Sequence, residues 1–168
     1  MTLFPDRVAV MGDGKLGLLC AQVVALTGCD LIVVGRHAAH LDLLKRRGLT
    51  TTTDLAGLER ASFDIAIDAT GTSGGYAAAR QLVRPRGTIV LKSTYHNEIQ
   101  VDLTKVVVDE VTLIGSRCGP FPPAIRLLAN HLIDVEPLIQ ARYSLDEGLA
   151  AFECAAQPGT LKVIVEMH

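Results

Sequence analysis

Val8-Ala9-Val10-Met11-Gly12-Asp13-Gly14-Lys15-Leu16-Gly17 is a short apolar run that breaks into three glycines spaced G-x-G-x-x-G, with Leu18, Leu19 and Cys20 following directly. Alone the glycine spacing is a weak signal. Its physical meaning comes from position, between a β-strand (Val8 to Met11) and an amphipathic helix. In that setting Gly12 allows a tight turn, Gly14 lets a pyrophosphate approach the backbone, and Gly17 lets the helix lie close on the sheet. The free N–H groups and partial positive charge of the helix start then face the phosphates. The turn residues Asp13, Lys15 and Leu16 are counted with the three glycines as dinucleotide contacts.

Outward from this stretch the pattern repeats. Leu16, Leu19, Cys20, Val23, Val24 and Leu26 share one helical stripe, expected to be the core face, closed by Gly28 at a C-cap position. Leu31 to Val34 is an unbroken apolar run, as in a central parallel strand. Ala38 to Arg47 predicts a helix with three basic residues in its last turn, ended by Gly48. Thr50 to Thr52 is a weak third strand and Phe63 to Ala69 a fourth. Gly75 to Val83 is helical until Arg84-Pro85-Arg86-Gly87 stops it. Thr88 to Leu91 and Val111 to Ile114 are the fifth and sixth strands. Then Pro122-Pro123 opens a helix to about Ile133, Leu138 to Tyr143 is extended, and Ser144-Leu145-Asp146-Glu147 is a capping box for a helix reaching Ala156. Leu161 to Val165 is a last strand. Alternating strands and helices predict an α/β fold, a doubly wound parallel six-stranded sheet with helices on both faces.

Composition agrees. A chain of 168 residues buries roughly 70% of its unfolded surface in one core. Hydrophobic residues make up 49% and aromatics only 4%, with no Trp, so Val, Leu, Ile and Ala build that core. The formal net charge of -2 gives no electrostatic reason to expect nucleic acid or an anionic membrane as partner. The start, Met1 to Asp6, lacks the basic and apolar regions of a signal peptide, and a cytoplasmic protein is expected. The four cysteines, Cys20, Cys29, Cys118 and Cys154, contain no C-x-x-C pair and are expected to be reduced and mostly buried. His37 and His40 form the only close histidine pair, and no Cys, Asp or Glu stands near them at a convincing ligand spacing, so no metal site is expected in this chain.

The residue ending the second strand selects between dinucleotides, because a carboxylate there binds the adenosine ribose and repels a 2′-phosphate. Here the sequence reads Val33-Val34-Gly35-Arg36-His37, without an acid. Arg36 can pair a 2′-phosphate bidentately and His37 can add a donor, so NADP is favoured over NAD, with Gly35 in the same turn. Arg36 as a solvated charge or an adenine-stacking side chain is the competing reading. Two further turns follow carboxyl ends of strands, where open α/β sheets bind ligands. Ala69-Thr70-Gly71 follows the fourth strand and Lys92-Ser93-Thr94 the fifth, with Ser93 and Thr94 offering hydroxyls to the nicotinamide end. Gly115-Ser116-Arg117-Cys118 follows the same logic more weakly.

Four stretches together resemble the cofactor-binding half of the zinc-containing medium-chain dehydrogenases and reductases. They are Val8 to Gly17, Phe63-Asp64-Ile65-Ala66-Ile67-Asp68-Ala69-Thr70-Gly71, Arg84-Pro85-Arg86-Gly87-Thr88-Ile89-Val90, and Leu161-Lys162-Val163-Ile164-Val165, in the order and spacing of that family. The resemblance implies a Rossmann domain of a pyridine-nucleotide-dependent alcohol dehydrogenase, in which zinc polarises a carbonyl or alkoxide while the nicotinamide exchanges hydride. It also implies that the zinc ligands, including a Gly-His-Glu motif, lie in a preceding domain. No histidine of this chain follows a glycine, so no catalytic or zinc role passes to any residue here. Cofactor-binding roles pass to Gly12, Gly14, Gly17, Arg36 and Thr70.

The resemblance further implies a nucleotide-binding domain over 1–137 and a return segment over 138–168 that packs on the missing catalytic domain. It implies a homodimer in which the sixth strand pairs with its own copy, and an isolated chain that binds cofactor with little or no turnover. A dinucleotide-sensing regulatory module is the alternative, although such modules commonly keep the acid that is missing after the second strand. A short-chain dehydrogenase needs Tyr followed four residues later by Lys. Tyr76, Tyr95 and Tyr143 are followed at that distance by Arg80, Ile99 and Glu147. The glycine turn by itself does not exclude a methyltransferase.

Overall fold

The structure is a computed structural model and describes residues 6–95 and 98–167. The opening Met1 to Pro5, on which most of the signal-peptide expectation rests, lies outside the described residues. The chain divides into two compact units between Phe121 and Pro122, ahead of the 137/138 boundary expected from sequence.

The first unit holds β1 (Arg7–Met11), α1 (Lys15–Ala25), β2 (Asp30–Val34), α2 (Ala38–Lys45), β3 (Thr50–Thr52), β4 (Phe63–Asp68), α3 (Ser73–Leu82), β5 (Val83–Leu91), α4 (Leu103–Val108) and β6 (Thr112–Gly115). The six strands form one sheet in the order β3-β2-β1-β4-β5-β6, and all its pairings are parallel. The order reverses between β1 and β4, the crevice at which doubly wound sheets take ligands. Strand alternation supplies two buried faces. Ala9 and Met11 of β1 join Ala66, Ile89 and the α3 residues Tyr76, Ala79 and Leu82 in one cluster. Val8 and Val10 point the other way, and Leu18 and Ala21 of α1 and Leu41 and Leu44 of α2 are buried outside that cluster.

Several expectations need correction. The apolar stripe expected as the inner face of α1 is not fully buried at any position: Leu16, Val23 and Leu26 are exposed and Leu19, Cys20 and Val24 half-buried. The buried residues are Gly17, Leu18, Ala21 and Gln22. Periodicity does not orient a helix that is apolar on most sides; close approach at a small residue does. A Cβ on Gly17 would lie 2.0 Å from the Gly12 carbonyl oxygen, so that side of the helix faces the turn. The fifth strand starts earlier than Thr88. Val83 pairs with Phe63, Thr88 pairs with Ile65, and the intervening residues form an irregularity in which Arg86 has φ +62°. The helix α4 runs against the local sequence signal: its Val106-Val107-Val108 run favours strand by propensity, yet Asp102 caps it and Val106 packs on the core. None of the cysteines is fully buried: Cys118 is exposed and the other three are half-buried, all four as free thiols.

The second unit, described by itself, contains α5 (Phe121–Ala129), whose first residue belongs to the first unit, a 3-10 turn (Glu136–Leu138), β7 (Ile139–Ser144), a 3-10 turn (Leu145–Glu147), α6 (Gly148–Ala156) and β8 (Lys162–Glu166). The strands β7 and β8 pair in parallel and α6 connects and packs on both. The predicted capping box is present: Glu147 accepts from the Ser144 N–H at 3.0 Å and from its hydroxyl at 2.8 Å. It opens a 3-10 turn that leads into α6. Among the described residues no helix is long and apolar enough to cross a membrane.

Candidate functional site

Three turns meet at the carboxyl edge of the sheet. The first, Gly12-Asp13-Gly14, carries β1 into α1. Gly12 has φ +115°, a region costly for a side chain, and its N–H donates to Val34 across the sheet at 2.8 Å. A Cβ there would also lie 3.1 Å from the Ala69 carbonyl oxygen and 3.3 Å from the Thr70 methyl, so this turn packs against the next one. Gly14 is the N-cap of α1, and among the described residues no side chain caps the helix and a Cβ on Gly14 would meet nothing within 4 Å. Beside Gly14 the start of α1 therefore presents bare backbone, and the first N–H groups of a helix have no intrahelical partner. Gly17 is held against the turn itself, by its approach to Gly12 rather than to a strand.

The second turn, Ala69-Thr70-Gly71, is braced by Asp68. This fully buried carboxylate accepts from the Thr70 N–H at 2.9 Å, from the Thr70 hydroxyl at 2.7 Å and from the Tyr95 hydroxyl. Burial, with the Asp68 carboxylate beside it, pushes the Tyr95 hydroxyl well above its usual range. The third turn, Lys92-Ser93-Thr94, touches the second: a Cβ on Gly71 would lie 2.9 Å from the Thr94 carbonyl oxygen. Lys92 sends its ammonium away to the carbonyls of Ser116 and Arg117, at 3.2 and 2.5 Å, and so ties the segment after β6 to the end of β5.

A fourth group of residues, Gly35-Arg36-His37 after β2, is joined to the first turn by Asp13. The Asp13 side chain is 9% exposed. Its Oδ2 accepts from the Arg36 N–H at 2.7 Å and from the His37 N–H at 2.5 Å. The His37 Nδ1 is 3.1 Å from the same oxygen, and the His40 Nδ1 is 2.9 Å from the Asp13 carbonyl oxygen. Burial alone would raise the Asp13 carboxyl, but the N–H of His37, its ring and the N–H of Arg36 outweigh it and hold the group below the usual carboxylate value. Gly35 is required beside it, because a Cβ there would lie 2.5 Å from the Asp13 Cβ.

The structure thus brings together Gly12, Asp13, Gly14, Lys15, Leu16 and Gly17 with Gly35, Arg36, His37, Ala69, Thr70, Gly71, Ser93 and Thr94, while the ammonium of Lys92 is committed elsewhere. The His37 ring is spent on Asp13. The exposed Arg36 guanidinium makes no ion pair among the described residues. Sequence reasoning missed the bracing pair Asp68 and Tyr95, the clamp by Asp13, and the approach of Asp13 to His37 and His40. These contacts span 23 to 27 residues and have no local signal.

A family model described as zinc-binding dehydrogenase matches residues 16–130. A D-arabitol-phosphate dehydrogenase of Enterococcus avium is 29% identical over 97% of this chain and 51% of its own length. A sorbitol dehydrogenase of Gallus gallus is 27% identical over 96% of this chain and 50% of its own length. The chain spans about half the length of the curated relatives it matches. Among solved structures, L-idonate 5-dehydrogenase of Escherichia coli superposes with TM-score 0.85 at 23% identity, over 98% of this chain and 51% of that one. A Sinorhizobium meliloti 1021 protein assigned to the zinc-binding dehydrogenases, solved with NADP bound, gives 0.84 at 24% identity, over 97% and 53%.

Proposed function

The chain belongs to the zinc-binding dehydrogenase family, and from that premise we propose that it is the nicotinamide-dinucleotide-binding half of an alcohol or polyol dehydrogenase. The observation carrying this reading is the uncapped start of α1 behind Gly14, where a built Cβ meets nothing within 4 Å. That opening fits a diphosphate: bare backbone permits close approach, and the helix N-terminus favours negative charge. When bound, the nicotinamide supplies the hydride acceptor or donor.

The residues of this chain bind and orient. The α1 N–H groups hold the diphosphate. Gly12 and Gly17 keep the turn tight, and Asp13 fixes the Gly35-Arg36-His37 segment beside it. The Thr70 turn, braced by Asp68, and the hydroxyls of Ser93 and Thr94 line the nicotinamide end. Arg36, exposed and without an ion pair among the described residues, reads the 2′-phosphate, which favours NADP over NAD; solved relatives hold NADP in one case and NADH in another, so the preference rests on Arg36. Zinc and the substrate pocket belong in this reading to a preceding domain, so the 168 residues alone bind cofactor with little turnover. The exposed apolar residues Leu16 and Val23 of α1 and Leu26 at its C-cap are in keeping with a further partner surface.

The same proposal assigns residues 1–137 to the nucleotide-binding domain and 138–168 to a segment returning to the catalytic domain. It makes the protein a cytoplasmic homodimer joined through β6. In support, β6 pairs only with β5 among the described residues and is exposed along its whole length, including Leu113 and Ile114, and an apolar sheet edge invites pairing. Titration with NADPH and NADH tests the cofactor assignment. Tighter NADPH binding is expected; a tenfold preference for NADH rejects the role given to Arg36.

A further inference from the structure

We propose that Asp13, His37 and His40 form a binding site for a borderline divalent transition-metal ion such as zinc, cobalt or nickel, separate from any metal of the preceding domain. One donor atom from each residue lies within 4.8 Å of the others. Metal–ligand bonds of about 2.0–2.1 Å in a tetrahedral site place donors about 3.4 Å apart. The Asp13 carboxylate and the His37 Nδ1, at 3.1 and 3.2 Å, already meet that separation. The imidazole centroids of His37 and His40 are 4.8 Å apart. His37 has a 45% exposed side chain that can turn to close the remaining gap.

The surroundings orient these groups as a metal site requires. Asp13 is anchored through Oδ2 by two backbone N–H groups and walled in by Gly35, while its Oδ1 makes one long 3.2 Å contact and keeps lone pairs to offer. His40 must carry its proton on Nδ1 to donate to the Asp13 carbonyl, which leaves Nε2 as a lone-pair donor; imidazole ligands are commonly oriented in this way. His37 occupies the N-cap of α2, but its ring makes no capping bond to that helix and turns instead to the Asp13 carboxylate. Two imidazole nitrogens and one carboxylate oxygen suit zinc, cobalt or nickel better than calcium or magnesium, which take oxygen donors, and three protein donors leave a position open.

The test is a titration of the 168-residue chain with cobalt(II) chloride in the absence of nucleotide, followed by visible absorption. Saturable binding of one ion per chain is expected, weakened tenfold or more in His37→Ala and His40→Ala and in Asp13→Asn, and unchanged in Cys118→Ser, which removes the exposed thiol. Circular dichroism checks folding, and His40→Gln replaces any variant that unfolds. The proposal is overturned if no saturable band develops, if folded His40 variants bind as tightly as the parent, or if Cys118→Ser abolishes binding. No nucleotide enters this experiment, so its failure and the failure of the dinucleotide reading are separate results.

Discussion

Replacing Gly14 and Gly17 by alanine, one at a time, separates stability from binding within a single turn. At Gly17 the added methyl carbon would sit 2.0 Å from the Gly12 carbonyl oxygen and 2.7 Å from its carbon. Ordinary contact needs about 3.5 Å, so α1 must lift by more than an ångström. Neither colliding atom belongs to a side chain that can swing away. Overpacking of this kind costs about 1–3 kcal/mol and occasionally more, against about 1 kcal/mol gained from the better helix propensity of alanine. With rigid backbone at 2.0 Å the cost sits at the upper end, about 3 kcal/mol, and the net loss of about 2 kcal/mol lowers the melting temperature of a domain this size by about 4–8 °C.

At Gly14 the methyl meets nothing, and φ -76° with ψ 173° is extended backbone that alanine adopts without strain. Stability should stay within about 1 kcal/mol of the parent. The methyl nevertheless enters the space the diphosphate must use, and dinucleotide affinity should fall tenfold or more, about 1.4 kcal/mol. Scanning calorimetry and nucleotide titration on the same two variants supply both readouts. A Gly14→Ala chain that binds NADPH as tightly as the parent would refute the reasoning, as would a Gly17→Ala chain with an unchanged melting temperature.

Asp13 predicts a pH dependence. Its folded pKa lies below the ordinary 3.8, so its contribution is fully present above that value and is lost as pH falls through the folded one. Thermal melts from neutral pH to about pH 3 should fall less steeply in Asp13→Asn than in the parent; Asp64, also depressed through the Arg7 N–H and Arg84, keeps some slope in both. Asp13→Ala strands the Arg36 and His37 N–H groups and should cost about 2–4 kcal/mol by denaturant unfolding. Arg36→Ala should weaken NADPH tenfold or more and leave NADH within about twofold; equal losses would show that Arg36 does not read the 2′-phosphate. Leu113→Lys on β6 should convert dimer to monomer in light scattering, and a parent that is already monomeric at working concentration removes the dimer proposal.

The parts of the fold that are local in sequence were legible in it. Val8 to Met11, the glycine turn and Leu31 to Val34 each carry their own signal, and even Thr50 to Thr52 pairs as a strand. Packing direction was not legible, because the α1 helix has apolar residues on most sides and only the Gly17 contact chooses among them. The α4 valines show the same limit in propensity, overridden by an Asp102 cap and burial of Val106. At the site, the glycines and the Thr70 turn announce themselves by spacing. The carboxylates that organise them do not, since Asp13 reaches partners at 36, 37 and 40, and Asp68 meets a hydroxyl at 95.

The most direct measurement is a crystal structure of the chain grown with NADPH. Diphosphate oxygens about 3 Å from the backbone N–H groups of Lys15 and Leu16, with Gly14 passing beneath them, are the expected result. A dinucleotide bound with its diphosphate away from the start of α1, or a turn over residues 12–17 that excludes it, would contradict the assignment.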